Sequence, residues 1–220
     1  MRRPEEIRSQ RSFRAAFGRL ARWGAVSLSD TQTIDGVLII GDKGGDKIVE
    51  ALRLIRDFDP VRYKRLLVDV RQVFVTTLPA AVGQWAKSSK ACELDERYLL
   101  RDETTPELVA SVIVHEATHA RLMQCGIGYE ETLRDRVEQV CLRREIAFAA
   151  RLPTGKGRGQ QAEATLESMP DFSDKAMSER YLSGLRDALL YLDMPTWLVD
   201  LTVSYRRWKH RRRFSRQTMN

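Results

Sequence analysis

Apolar positions along this chain recur at two spacings, which divide it into predicted helices and strands. Phe13, Phe17 and Leu20 fall at helical spacing among arginines and predict a helix over 5–22. The stretch "IDGVLIIGDKGGD" predicts a short strand with a glycine turn. "DKIVEALRLIRDF" returns to helical spacing and is expected to stop at Pro60. "RLLVDVRQVFVTTL" is β-branched and apolar, the pattern of a buried strand ending before Pro79. In "ACELDERYLL", Cys92, Leu94, Tyr98 and Leu100 alternate with Glu93, Asp95, Arg97 and Leu99. A period of two with charges on one face predicts an edge strand there.

The clearest helix start lies in "TTPELVASVIVHEATHARLMQCG". Thr105 suits the cap, Pro106 the first helical position, and Glu107 the positive end of the dipole. Gly126 is the expected stop. A short "GIG" link leads into "YEETLRDRVEQVCLRREIAFAARL", a second long helix closed by Pro153. "PTGKGRGQQ" has the composition of a linker, and two more helices are expected at about 174–193 and 195–213, separated by Pro195. The pattern predicts an α+β fold, with a small antiparallel or mixed sheet packed on two successive helices and with further helices at the C-terminus. The expected organisation is a main domain over 1–152, a linker over 153–173, and a helical segment with a basic tail over 174–220, packed on the same domain.

Composition narrows the setting. The 220 residues are 43% hydrophobic and 30% charged, as in an ordinary globular protein. No apolar run approaches the roughly 20 residues that cross a bilayer, and the start shows no secretory signal. Cys92, Cys125 and Cys141 are odd in number and irregularly spaced, so no disulfide framework is expected and a cytoplasmic location is. The net charge of +7 is carried by the ends. Residues 1–22 hold seven arginines against two glutamates, and 206–216 hold seven cations and no acid, which leaves the body between them net acidic.

That body holds the candidate chemistry. "VIVHEATHARL" places His115 and His119 four residues apart, on one face of a helix, where both can point a nitrogen at one ion. Glu116 is turned away from that ion but can reach a water on it as general base. Zinc is the natural ion for two imidazoles, a carboxylate and an open position. The segment is otherwise apolar at Val109, Val112, Ile113 and Val114, where charged side chains are costly unless paired or bound to metal.

"VIVHEATHA" resembles the active-site helix of the zincin metallopeptidases, and the resemblance covers residues 106–145. No third histidine follows soon after, which counts against the metzincin branch. A glutamate ligand from the next helix would make the chain similar to the gluzincins, in particular their minimal members. The candidates for that ligand are Glu131, Glu138 and Glu145. Glu138 lies 19 residues past His119, as in many gluzincins, and among Val137, Val140 and Cys141. Glu145 sits about 15 Å out of register by helical rise, and Glu131 suits the helix dipole better. The acid that gluzincins carry four residues after the ligand is Leu142 here, so Asp135 or Glu145 is left to partner a histidine.

The resemblance implies a zinc-dependent peptidase acting on peptides or proteins, with His115, His119 and Glu138 as ligands and Glu116 as general base toward a metal-activated water. It also implies that substrate pairs with an edge strand, for which "ACELDERYLL" is the candidate, and that Tyr98 or Tyr129 could donate to an oxyanion. Packing is the simpler role for both tyrosines, and burial for Cys125 and Cys141. Two other functions fit the sequence: a catalytically silent zinc-binding regulatory module, and a structural protein held on nucleic acid or membrane by its basic termini. Trp197, Leu201, Tyr205 and Trp208 recur at helical spacing in the last helix. They are expected to pack on the body while His210 and the cations of 206–216 stay solvated, with anionic lipid or nucleic acid as the sharper alternatives.

Overall fold

The computed structural model describes residues 30–153 and 159–215; the helix expected over 5–22 lies outside them. Strands β1 (Thr31–Ile34) and β2 (Val37–Ile40) form a hairpin. Its two-residue turn, Asp35 and Gly36, has positive φ at both positions (49° and 87°), the geometry that matches strand twist. Helix α1 (Gly45–Phe58) follows and buries Ile48, Leu52 and Ile55. Pro60 ends α1 as expected, yet it also opens α2 (Pro60–Asp69), because the Asp59 side chain caps the new helix by accepting from the Arg62 amide. The strand expected over 65–78 is therefore split. Its first part finishes α2, and only β3 (Gln72–Thr76) is extended.

Strands β4 (Gly83–Ala86) and β5 (Ala91–Asp95) complete a five-stranded mixed sheet in the order β1-β2-β3-β5-β4. β3 runs parallel to both of its neighbours, and the two edge strands are antiparallel to theirs. The expected edge strand needs correcting here. β5 is interior and buried at all five positions, while residues 96–99 turn into a short helix, α3 (Glu96–Leu99). Two local bonds produce this. Asp95 caps α3 by accepting from the Tyr98 amide, and Glu93, although buried, accepts from Gln84 on the neighbouring strand. The true edge is β4, four residues with a glycine and a glutamine that carry no alternating signal.

One face of the sheet is covered by α1 and by α4 (Pro106–Gln124), whose Val109, Ile113 and Val114 join Ile39, Val73 and Leu94 in one core. Pro106 takes the first helical position, while Thr105 stands at the N-cap without a side-chain capping bond. Beyond Gly126 (φ 82°) the chain turns back into α5 (Glu131–Ala149). α6 (Gln160–Glu167) lies inside the expected linker and packs on α5. α7 (Asp174–Tyr191) and α8 (Thr196–Ser215) form a helical hairpin around Leu185, Val199 and Val203. It meets the body at both ends of α7. Arg134 of α5 pairs with Asp174 at 2.7 Å, and the Tyr191 hydroxyl donates to Glu96 at 3.1 Å. Between them, a Cβ on Gly184 would stand only 1.6 Å from the Pro79 carbonyl oxygen. No described helix is long and apolar enough to cross a membrane.

The aromatic stripe of α8 does not pack as expected. Val199 and Val203 are buried, whereas Trp197, Leu201, Tyr205 and Trp208 face outward. Val199→Ala is therefore expected to cost about 1.5–2.5 kcal/mol. Trp197→Ala and Leu201→Ala should stay within about 0.5 kcal/mol of the parent in denaturant titrations. The reverse ranking would mean that the stripe is core.

Candidate metal centre

The helical period of α4 gives it three working faces. Val109, Ile113 and Val114 face the core, His115 and His119 face α5, and Glu116 lies under the sheet edge. The edge strand comes this close because residue 83 is glycine. A Cβ there would lie 2.5 Å from Val112 Cγ1 and 3.4 Å from Glu116 Cγ. Glu116 is buried, and the backbone of Trp85 in β4 favours its charged form.

Across from the histidines, α5 runs in the opposite direction and presents Glu138. His115 Nε2 stands 3.3 Å from Glu138 Oε2, and His119 Nε2 stands 3.5 Å from Oε1. The Tyr129 hydroxyl donates to Oε1, and its ring meets the His119 ring edge-on at 5.4 Å. Arg134 fixes that tyrosine. Its guanidinium lies 5.3 Å from the ring centroid and donates to the Tyr129 carbonyl. Tyr129 thus holds Glu138 in place. Tyr98 is half-buried against the core, and burial raises its phenol to about 12.

Glu145 is not remote. Its Oε2 lies 3.1 Å from Nδ1 of His115. The expected offset of Glu145 holds against His119, but His115 lies one turn back along α4, about 6 Å. Antiparallel α5 carries its later carboxylates in that same direction. Of the other acids, Glu131 accepts from the Asp174 amide at the start of α7, and Asp135 is exposed.

Burial opposes protonation of His115, but the Glu138 and Glu145 carboxylates outweigh it and raise the imidazole to about 10. Burial lowers His119 to about 4, with His115 adding to the effect and Glu138 opposing it. Burial also works against the Glu138 carboxylate, yet His115, His119 and Tyr129 together hold its pKa below the usual range. Glu116 moves the other way. Burial, helped by the charges of Glu138 and Glu145 and opposed by His115, raises it to about 7.

This donor set fits a zinc ion. Bonds of about 2.0–2.1 Å in a tetrahedron put ligand atoms roughly 3.3–3.4 Å apart, close to the two imidazole–carboxylate separations here. Cys141 is buried as expected, and it also stands close to both imidazoles. Cys141 follows Glu138 by three residues, on the same helical face, and its sulfur lies with a nitrogen of each histidine in a group spanning no more than 4.8 Å. Burial pushes that thiol's pKa up, as do the charges of Glu138, Glu116 and Glu145. Its spacing from Glu138 was the available signal. Cys125 is exposed at the end of α4, and His210 is half-buried far along the chain in α8.

The close approach at Gly83 carries a prediction. Gly83→Ala drives a methyl group into Val112 and should destabilise the fold by about 1–3 kcal/mol, read as a lower denaturation midpoint. An unchanged midpoint would mean that β4 need not lie against α4.

Compared with protein-family models, curated proteins and solved structures, the chain matches none.

Proposed function

We propose that the chain is a zinc-dependent metallopeptidase, a hydrolase of the gluzincin-like, minimal zincin type. One observation carries the reading: two imidazoles from α4 and a carboxylate from α5 converge at the spacing of zinc ligands, beside a separately buried glutamate under a sheet edge. Zinc bound there would act as a Lewis acid, lowering the pKa of water and polarising a carbonyl. His115, His119 and Glu138 would hold the ion, with Glu145 orienting His115 through Nδ1 and Tyr129 orienting Glu138. Glu116, raised to about 7, is poised to take a proton from the attacking water and return it to the departing amine as the peptide C–N bond breaks. The edge strand β4 offers an extended peptide a place to pair beside Glu116.

A second reading rests on Cys141. Were its thiolate a fourth ligand, the coordination would be closed, as in structural zinc sites, and the module would bind zinc without cutting a bond. Cobalt substitution separates the two, because a thiolate ligand gives an intense sulfur-to-metal band.

The peptidase reading expects near-stoichiometric zinc, lost in His115→Ala and His119→Ala, and no sulfur band with cobalt. Glu138→Ala should weaken zinc binding more than Glu145→Ala, whose effect is expected to be about tenfold. A protein that takes up no zinc on dialysis would sink both readings.

Activity is tested separately on a peptide library. Glu116→Gln should keep its zinc and lose hydrolysis by about a hundredfold or more. Full activity in that variant would remove Glu116 from the chemistry. Stoichiometric zinc with a strong cobalt–sulfur band and no cleavage would favour the closed site.

A further inference from the structure

Helix α8 has two apolar faces where a packed surface helix needs one. Val199 and Val203 form the first and bury against α7. Trp197, Leu201, Tyr205 and Trp208 form the second, and they are 67%, 61%, 55% and 43% exposed. At 100° per residue these four lie within about 80° of one another, opposite the valines, along roughly 16 Å of helix. Exposed cations crowd the same end of the helix: Arg206, Arg207, Lys209, Arg211 and Arg212. Beside them an open cleft of about 770 Å³ lies between α7 and α8, lined by the cations Arg206, Lys209 and Arg212, with Asp174 as its one acid, and by Met177 and Leu182.

We propose that α8 docks the protein on an anionic lipid bilayer, lying in the interface with the aromatic stripe inserted and the cations among the headgroups. Charge complementarity selects the occupant. Residues 1–22 of this chain carry seven arginines against two glutamates, and a second copy of α8 would bring the same cations, so both would repel the helix end. An anionic surface is attracted to it, and the cleft gives headgroup phosphates a cationic recess. The apolar side chains favour lipid over nucleic acid. Leu201, in the middle of the stripe, has no ring for a base to stack on. Trp208 is already covered by the Arg212 guanidinium at 4.1 Å and stacked on Tyr205 at 6.0 Å. A bilayer interface accommodates Trp, Tyr, Leu and Arg together.

Co-sedimentation of the full chain with vesicles tests the proposal, comparing phosphatidylcholine alone with phosphatidylcholine plus phosphatidylglycerol. Partitioning should be at least about tenfold stronger with the anionic lipid and should weaken with added salt. Leu201→Asp and the double variant Arg207→Glu/Arg211→Glu should each lower it about tenfold or more, with the parent's thermal midpoint and zinc content retained. Because both variants leave the α4–α5 site untouched, zinc binding and vesicle binding can fail independently. Absence of binding to anionic vesicles at low salt overturns the proposal, as does binding indifferent to Leu201→Asp. So does binding to a single-stranded oligonucleotide without vesicle binding, or self-association abolished by Leu201→Asp without vesicle binding.

Discussion

Everything at the candidate centre depends on ionisable groups buried between two antiparallel helices. His115, His119 and Glu138 are each withdrawn from water, and His115 is held between two carboxylates. Such groups are tolerable inside a protein only when each has a partner; removing one from a buried pair typically costs about 3–5 kcal/mol. The need for partners fixes the register of α4 against α5. A slide of one turn would bring Leu142 opposite His119 and leave Glu138 without its imidazoles. Tyr129, just before α5, and Arg134 in its first turn reinforce that register, through one hydroxyl bond to Glu138 and one guanidinium packed on the ring.

The sheet makes a different contribution, which is separation. Glu116 follows His115 directly in sequence, yet helical geometry turns it about 100° away and places it under β4. There burial keeps its affinity for a proton high, against the opposing charge of His115. Glu138 meets two imidazoles and a hydroxyl, and its affinity falls. Two glutamates on adjacent helices thus acquire opposite tendencies from their surroundings alone. This is the division of labour that a metal ligand and a proton carrier require.

Much of this was legible in the sequence, for physical reasons that also mark where legibility stops. The α+β class, the extent of α4 and the gathering of His115, His119 and Glu138 follow from helical period and a short link, which are local quantities. Helical rise from His119 alone sets Glu145 too far away, whereas His115, a turn back, meets it. Alternation over 91–100 predicts an edge strand, but the Asp95 carboxylate caps α3 and Glu93 meets Gln84 on the neighbouring strand. β4 has no pattern of its own. It is short, and what places it is the missing side chain at residue 83, a property that appears only once α4 lies underneath.

The same limit explains α8. Periodicity identifies a stripe but not which stripe meets the body, and the bulky one was the natural choice. The hairpin with α7 instead buries Val199 and Val203, which pack with Leu185, Leu189 and Met194. The larger residues are turned outward as a consequence. The hairpin is nonetheless not independent of the centre. Arg134 donates to the Phe172 carbonyl and pairs with Asp174 at the start of α7, while the same guanidinium packs on Tyr129, which bonds Glu138. One arginine therefore positions both the base of the helical hairpin and the tyrosine that orients the carboxylate of the centre.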